Sequence, residues 1–323
     1  MAGLVCAARA RELGLKPRVL EKGTRPGGSM LLSSCVVWRH RRFEDFRAEC
    51  PGGDPELQRL IWDRLDDALE WLASKGAPVV WDETRNPQTT GKRFDPRGLV
   101  EALAGEVQLE TPLPAHVEGP LILATGGFPV RLARERGLLV RSNRWSEGDG
   151  IDLGRARGAE LTGGLDEFYG RALPGPVPEQ QYVAASQLYG RFARRVNDRG
   201  EEFFPGEPSW SENDLAQSIA RQPGGRAWYE LDAEALERPE VAERLPYAQE
   251  TEPLSGGGLR VRVYAAVTHT LGGLKIDADA RAAEGVWAAG VDAGGVALGG
   301  YASGLAQALV LGLVAAESAY ACR

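Results

Sequence analysis

Residues 2–21 read AGLVCAARARELGLKPRVLE, and this stretch decides the fold. Gly3 leads into an alanine-rich helical pattern that Gly14 ends, and a short apolar run then closes on an acid, Glu21. In a dinucleotide-binding βαβ unit the third glycine opens the helix, and an acid about 20 residues later binds the ribose. The stretch therefore predicts an α/β fold in which Gly3 and Glu21 serve a dinucleotide.

The same motif has an upstream half that would precede Met1, namely a buried first strand and two further glycines. We therefore expect the chain to be N-terminally truncated within its own motif, with the central strand of the sheet missing. Each backbone group left buried and unpaired costs about 1–3 kcal/mol. On this basis residues 1–323 alone are expected to fold poorly and to bind a dinucleotide poorly.

Length and composition limit the classes of protein to which this chain can belong. A chain of 323 residues favours two domains. The net charge of −7, with no long basic run, argues against a nucleic-acid partner. The brief basic run Arg39–Arg42 is either a solvated patch or a contact for an anionic group. There is no apolar stretch of about 20 residues and no signal peptide, so we expect a cytoplasmic protein without a membrane span.

The cysteines show neither metal-ligand spacing nor the look of a disulfide framework. We therefore expect reduced thiols and no metal site. The four positions are Cys6, Cys35, Cys50 and Cys322.

Periodicity predicts the main elements at both ends of the chain. Apolar residues at helical spacing indicate an amphipathic helix over 55–75 and a shorter one over 96–104. Apolar runs ending in glycine indicate buried strands at 121–127 and 285–290. A glycine-rich turn then opens a long apolar helix over 305–319.

The middle of the chain differs in composition and is rich in proline, aromatic and charged residues. Within it we predict a turn at 196–200 and a strand at 226–231. We predict that this insertion ends at the glycines 256–258. The predicted organisation is therefore a first part of a cofactor-binding domain over 1–130, a second domain over 131–255, and the remainder of the first domain over 256–323.

Four motifs in order carry a resemblance to a known family. They are AGLVCAARARELG with VLEKG and PGGS, then LATGG, then THTLGG, then GVWAAG followed by GGYASGLAQALVLG. The sequence resembles the flavoproteins of the fumarate reductase and succinate dehydrogenase family. Within it, the chain is most similar to the soluble branch that includes tricarballylate dehydrogenase and ketosteroid dehydrogenases. The resemblance implies a Rossmann-like FAD-binding domain interrupted by a smaller α+β capping domain, which closes over flavin N5 and the substrate.

The resemblance also implies which residues hold the cofactor, which we expect to be non-covalent FAD. The positive end of the last long helix would stabilise electron density on the reduced flavin. Turns between strands and helices need glycine in any case, so a purely structural role for these glycines stays open. The implied residues are Gly3, Glu21, Lys22, Gly27, Gly28, Ser29, Ser34, Thr125, Gly126, Gly127, Gly290, Asp292, Tyr301, Ser303, Gly304 and Leu305.

Several positions depart from the family pattern. Val291 stands where relatives often carry an acid for the ribityl chain, and the neighbouring Asp292 is expected to substitute. The proton-donor arginine of fumarate reductases falls at Trp210, and their carboxylate-binding arginine falls at Ala297. Fumarate reduction itself is therefore not expected.

Three residues are candidates for catalysis. His269 in THTLGG matches the substrate-side histidine of the family, and either hydrogen-bonds a substrate oxygen or caps a glycine turn. Tyr169 is a candidate acid or hydrogen-bond donor, with core packing as the alternative. Arg171 is a candidate for binding a carboxylate, with a surface salt bridge as the alternative.

The sequence thus predicts an FAD-dependent oxidoreductase. It would transfer a hydride between flavin N5 and a carbon–carbon bond next to a carbonyl or carboxylate. Its partners would be a small carboxylate or ketone and an unidentified electron donor or acceptor. The alternative is a catalytically silent, truncated remnant that keeps the fold and acts at most as a binding protein.

Overall fold

The computed structural model describes residues 1–114 and 117–322. The fold is α/β, with short sheets surrounded by helices. The α-helices, in chain order, are α1 (Ala2–Glu12), α2 (Phe43–Glu49), α3 (Pro55–Ser74), α4 (Pro96–Leu103), α5 (Pro129–Arg136), α6 (Asp149–Ala156), α7 (Asn213–Ala220), α8 (Ala233–Leu236), α9 (Pro239–Ala242) and α10 (Gly304–Ala321). The β-strands are β1 (Val36–His40), β2 (Val79–Trp81), β3 (Thr89–Phe94), β4 (Leu121–Leu123), β5 (Leu139–Val140), β6 (Phe168–Leu173), β7 (Arg194–Val196), β8 (Arg226–Leu231), β9 (Thr251–Pro253), β10 (Leu259–Thr270), β11 (Arg281–Ala283) and β12 (Val286–Ala288).

The chain divides into two compact units. Unit 1 comprises Met1–Phe128, Trp145–Glu167 and Thr270–Arg323, and unit 2 comprises Pro129–Arg144 and Phe168–His269. The predicted boundary at residue 256 differs from this division. Glycines 256–258 form a turn between β9 and β10, and β10 pairs with β8 and β9 in the sheet of unit 2. Three glycines in a row marked a hairpin connection and not the end of a domain.

Unit 1 contains two small sheets. In one, β12 lies parallel to β4, with Trp287 opposite Ile122, and β11 pairs with the other edge of β12. In the other, β1, β3 and β2 are antiparallel. The predicted strand that ends at Glu21 is reduced to one parallel bridge between Leu20 and Gln108. The segment around Gln108 is irregular, and its three backbone hydrogen bonds to the run involve only Val19 and Glu21.

Helix α3 begins where its capping residues place it. Asp54 accepts hydrogen bonds from the backbone amides of Glu56 and Leu57, and Pro55 occupies the first turn. The side chains at helical spacing along one face are buried, as the periodicity predicted. The helix predicted over 55–75 is therefore confirmed.

Helix α10 packs against α1 through small residues. A Cβ on Gly312 would lie 2.9 Å from Val5 Cγ1 and 3.1 Å from the carbonyl oxygen of Ala2. Among the described residues α10 alone is long and apolar enough to cross a membrane, but 61% of it is buried inside the protein. The alanines of α1 and the glycine of α10 thus permit a close helix crossing in the core of unit 1.

Unit 2 is built around the long strand β10. The strands β5, β6, β8 and β9 all pair with it, and β7 extends the sheet beyond β8. The predicted strand at 226–231 is β8, and the predicted turn at 196–200 follows β7, closed by a hydrogen bond from Asn197 N to Glu201 O. Because β6 and β10 are neighbours, residues of these two strands come together.

The close crossing at Gly312 generates a prediction about stability. In Gly312→Val the added side chain would overlap Val5 and the backbone of Ala2, and overpacking of this kind costs about 1–3 kcal/mol. We expect urea denaturation to show a lower free energy of unfolding by that amount. Tyr320→Val introduces the same side chain at an exposed position of the same helix and should change stability little. Equal stability of the two variants would contradict the packing described here.

Candidate functional site

The N-terminus of α10 is a polar feature of unit 1 that is available to a ligand. The Ser303 hydroxyl caps the helix by accepting from the amide of Ala306 at 3.2 Å, and it also accepts from the amide of Trp38 at 3.4 Å. Among the described residues, none accepts a hydrogen bond from the amides of Gly304 and Leu305. The first turn contains no acidic side chain. These amides and the helix dipole favour an electron-rich group at this position.

The short turn Gly290–Asp292 precedes this helix in the chain, and a side chain of the helix holds it in place. Gly290 has a left-handed backbone with φ of 65°. The carboxamide of Gln307 donates to the carbonyl oxygens of Gly290 at 2.8 Å and Ala293 at 2.7 Å. The position of the turn relative to α10 is thus set by a side chain of the helix itself.

The buried carboxylate of Asp292 joins this turn to the end of β4. One oxygen accepts from the Gly127 amide at 2.9 Å and the Thr125 hydroxyl at 3.0 Å, and the other accepts from the Thr125 amide. Burial raises the pKa of Asp292, and the hydrogen bonds from Thr125 and Gly127 oppose that rise. Both oxygens of Asp292 already accept from the protein, and a further role toward the ribityl chain stays a prediction.

The other predicted cofactor residues of unit 1 lie in two places. Gly3 is in the first turn of α1, where a Cβ would touch Ala124 at 3.5 Å, consistent with close helix–strand packing. Gly27 and Gly28 have left-handed backbones and lead into a short 3₁₀ helix, Gly28–Leu32, that contains Ser29. Ser34 is exposed just beyond that helix.

Glu21 and Lys22 are partly engaged within the protein. One carboxylate oxygen of Glu21 accepts from the amide of Gly23 at 2.7 Å, and the other has no partner among the described residues. Lys22 forms ion pairs with Glu147 at 3.2 Å and Asp149 at 3.0 Å. Glu21 therefore retains an acceptor for a ribose hydroxyl, whereas Lys22 is already paired.

Unit 2 brings the three predicted catalytic residues together. Tyr169 and Arg171 alternate along β6 and share a face, and the guanidinium carbon of Arg171 lies 4.9 Å from the centre of the Tyr169 ring. The rings of Tyr169 and His269 are 5.1 Å apart. Tyr169 is 7% exposed and Arg171 is 9% exposed, so both side chains are buried.

His269 is held in its neutral form. Burial and then the positive charge of Arg141 lower the pKa of His269 to about 4. Arg141 is itself fixed, because it donates to Ser186 Oγ at 3.0 Å and to Thr268 Oγ1 at 3.1 Å. At neutral pH the imidazole offers one donor and one acceptor, which suits a hydrogen bond to a substrate oxygen.

A comparison with protein families identifies the cofactor of the chain. The FAD binding domain family matches residues 115–305, more than half of the chain. The chain belongs to the FAD binding domain family. Its cofactor is therefore FAD.

Solved structures with the same fold are flavoproteins. The open conformation of a flavocytochrome c3 fumarate reductase matches with a TM-score of 0.71 and 18% identity, covering 99% of this chain and 76% of that one. The 3-ketosteroid-Δ4-(5α)-dehydrogenase from Rhodococcus jostii RHA1 matches with a TM-score of 0.72 and 16% identity, covering 99% of this chain and 94% of that one. Sdh1 of Mycobacterium smegmatis matches with a TM-score of 0.72 and 17% identity, covering 99% of this chain and 67% of that one. The resemblance carried by the four motifs is confirmed.

No curated protein matches this FAD-binding chain. Among residues 1–114 and 117–322, no group of three histidine, cysteine or acidic side chains is arranged to hold a metal ion. The four cysteines are free thiols. Burial raises the pKa of Cys6 and of Cys35 to about 12, so these two thiols are unreactive.

Two polar residues that hold the site were missed by the sequence analysis. Gln307 interrupts the otherwise apolar start of α10, and that polarity was an available signal. Glu212 is 4% exposed, has a left-handed φ of 51°, and accepts from the amides of Gly190 and Arg191. Nothing in its local sequence marks it, because its partners are about 20 residues away.

The lowered pKa of His269 generates a prediction about pH. Between pH 4 and 6.5 the unfolded histidine binds a proton that the folded one does not, so the free energy of unfolding should rise with pH across this window. His269→Phe cannot titrate and should show a smaller rise. Urea denaturation of both proteins at several pH values measures the difference. Parallel pH profiles would contradict a neutral, buried His269.

Proposed function

We propose that this protein is an FAD-dependent oxidoreductase that transfers a hydride between flavin N5 and a carbon–carbon bond next to a carbonyl or carboxylate. FAD when bound supplies the hydride chemistry. Membership of the FAD binding domain family supports the cofactor. The likeness of the fold to a fumarate reductase and to a ketosteroid dehydrogenase supports this type of reaction.

The residues of unit 1 would bind FAD without a covalent bond. The amides of Gly304 and Leu305 would face the flavin ring, since they lack acceptors among the described residues. The free oxygen of Glu21 would accept from the ribose, as the spacing from Gly3 predicts. A separate electron donor or acceptor, not identified, would complete the catalytic cycle.

The residues of unit 2 would bind the substrate. The single observation that carries this assignment is that Tyr169, Arg171 and His269, chosen from sequence for different reasons, are in ring or cation–π contact. Neutral His269 would donate a hydrogen bond to the oxygen that activates the reacting carbons. Tyr169 and Arg171 would orient that oxygen and stabilise the negative charge that develops on it.

Reoxidation of the reduced flavin tests this function directly. The purified holoprotein would be reduced anaerobically with dithionite and then mixed with α,β-unsaturated ketones and carboxylates. We expect at least one compound to restore the visible absorbance of oxidised flavin. His269→Gln, which retains a donor, should keep more of the rate than His269→Phe, which should lose about tenfold or more, the effect of one hydrogen bond.

Two outcomes would contradict the proposal. A protein that folds but takes up no FAD would contradict the cofactor. A protein that binds FAD but whose reduced flavin is reoxidised by none of these compounds would favour the alternative, a binding protein that retains only the fold.

A further inference from the structure

The substrate-binding residues proposed in unit 2 carry an unusual distribution of charge. We define the unit 2 polar group as Tyr169, Arg171, Gln187, Glu212 and His269. It contains a buried cation, a buried anion and three neutral side chains that can donate hydrogen bonds. The chemistry of this group indicates which class of oxygen it is built to receive.

Glu212 directly precedes α7, and α7 is hydrogen-bonded to the part of β6 that leads to Arg171. The amide of Gly170, the residue before Arg171, donates to Asn213 Oδ1 at 3.0 Å, and Asn213 directly follows Glu212. Gln217 of the same helix donates to the carbonyl oxygen of Phe168. Burial raises the pKa of Glu212, and the hydrogen bond from the Arg191 amide and then the positive charge of Arg171 oppose that rise.

The conformation of Glu212 indicates that its position has a specific role. A left-handed backbone is uncommon for residues other than glycine, and residues in such conformations cluster at functional sites. The carboxylate is buried and accepts from two backbone amides at 3.3 Å and 3.2 Å. The carboxylate forms an ion pair with Arg191 at 3.5 Å, and the positive charge of Arg171, which is 9% exposed, also acts on it.

Gln187 adds a neutral partner for a ligand. Its backbone amide donates to the carbonyl oxygen of Ala172, the residue after Arg171, at 2.9 Å. The side chain is fully buried, and neither its oxygen nor its nitrogen has a hydrogen-bond partner among the described residues. Buried polar groups are almost always satisfied, so this carboxamide is expected to meet a ligand or water.

We propose that the unit 2 polar group receives the uncharged oxygen of a ketone or related carbonyl and discriminates against a carboxylate. The inference rests on the proposed function, since it names the substrate class of the same residues. The negative charge of Glu212 offsets the positive charge of Arg171, which a carboxylate would need for binding. Gln187 and His269 supply neutral donors. A carboxylate brought here would lie in the field of the buried Glu212 and lose its own hydration.

Two ligands that differ in charge and little else test this inference. Crotonamide and crotonate have the same carbon skeleton, and only crotonate is an anion at neutral pH. Dissociation constants for the FAD-loaded protein can be obtained by saturation-transfer NMR. We expect the wild-type protein to bind crotonamide about tenfold more tightly than crotonate, or better. A preference for crotonate would overturn the inference.

Variants assign the discrimination to Glu212. Glu212→Gln removes the anion and should shift the preference toward crotonate by about tenfold or more. Arg191→Gln is the matched control, because it removes the exposed ion pair to the same carboxylate at 3.5 Å and leaves Arg171 in place. It should keep the wild-type preference within about twofold. An unchanged preference in Glu212→Gln would overturn the role of Glu212.

A second variant keeps the inference testable if Glu212→Gln does not fold. Gln187→Leu replaces an unpartnered buried amide by an apolar side chain, which is nearly neutral for stability. We expect its affinity for crotonamide to fall about tenfold with no loss of bound FAD. Unchanged affinity would contradict the inference. FAD content and flavin reoxidation, measured on the same preparations, report separately on the proposed function.

Discussion

The buried carboxylate of Asp292 is the contact on which the rest of unit 1 depends. It follows β12 and accepts from Thr125 and Gly127, which follow the parallel neighbour β4. Without it, two buried amides at the ends of these strands would lack an acceptor, at a cost of about 1–3 kcal/mol each. Gln307 ties the same turn to α10. Hydrogen bonds therefore join the ends of β4 and β12, the turn that contains Asp292 and the start of α10. The first amides of α10 remain available to a ligand.

Unit 2 depends on a different constraint, the burial of charge. Arg171 lies in strand β6, all six residues of which are buried, and a buried cation is costly unless a partner is close. Glu212 directly precedes α7, which is hydrogen-bonded to Gly170 and Phe168 of β6, just before Arg171. The left-handed conformation of Glu212 is the local cost of this arrangement. The result is a polar interior that is rich in donors and has no large uncompensated charge at Arg171.

Local signals in the sequence predicted the long elements. Asp54, Pro55 and the apolar spacing that follows defined α3, and the glycine-rich turn before residue 304 defined α10. The motif THTLGG and the run FYGR identified residues that the fold brings into contact. These predictions succeeded because capping, periodicity and turn formation depend on neighbours within a few residues.

The features that sequence did not predict depend on distant partners. The run ending at Glu21 had the composition of a strand, but an irregular partner segment around Gln108 reduced it to one bridge. The hydrogen bonds of Asp292 with Thr125 and Gly127 were not predicted, because these partners are more than 160 residues away. The glycines at 256–258 resembled a domain boundary, and only the pairing of β10 with β8 and β9 shows that they do not form one.

Amide hydrogen exchange at Thr125 and Gly127 tests the central role of Asp292 most directly. In the wild-type protein both amides should be strongly protected. Asp292→Asn retains the size of the side chain but offers only one acceptor oxygen. Exchange at one or both amides should then accelerate about tenfold or more relative to Leu65 in the middle of α3. If both amides exchange as slowly relative to Leu65 as in the wild type, Asp292 does not hold the strand ends together.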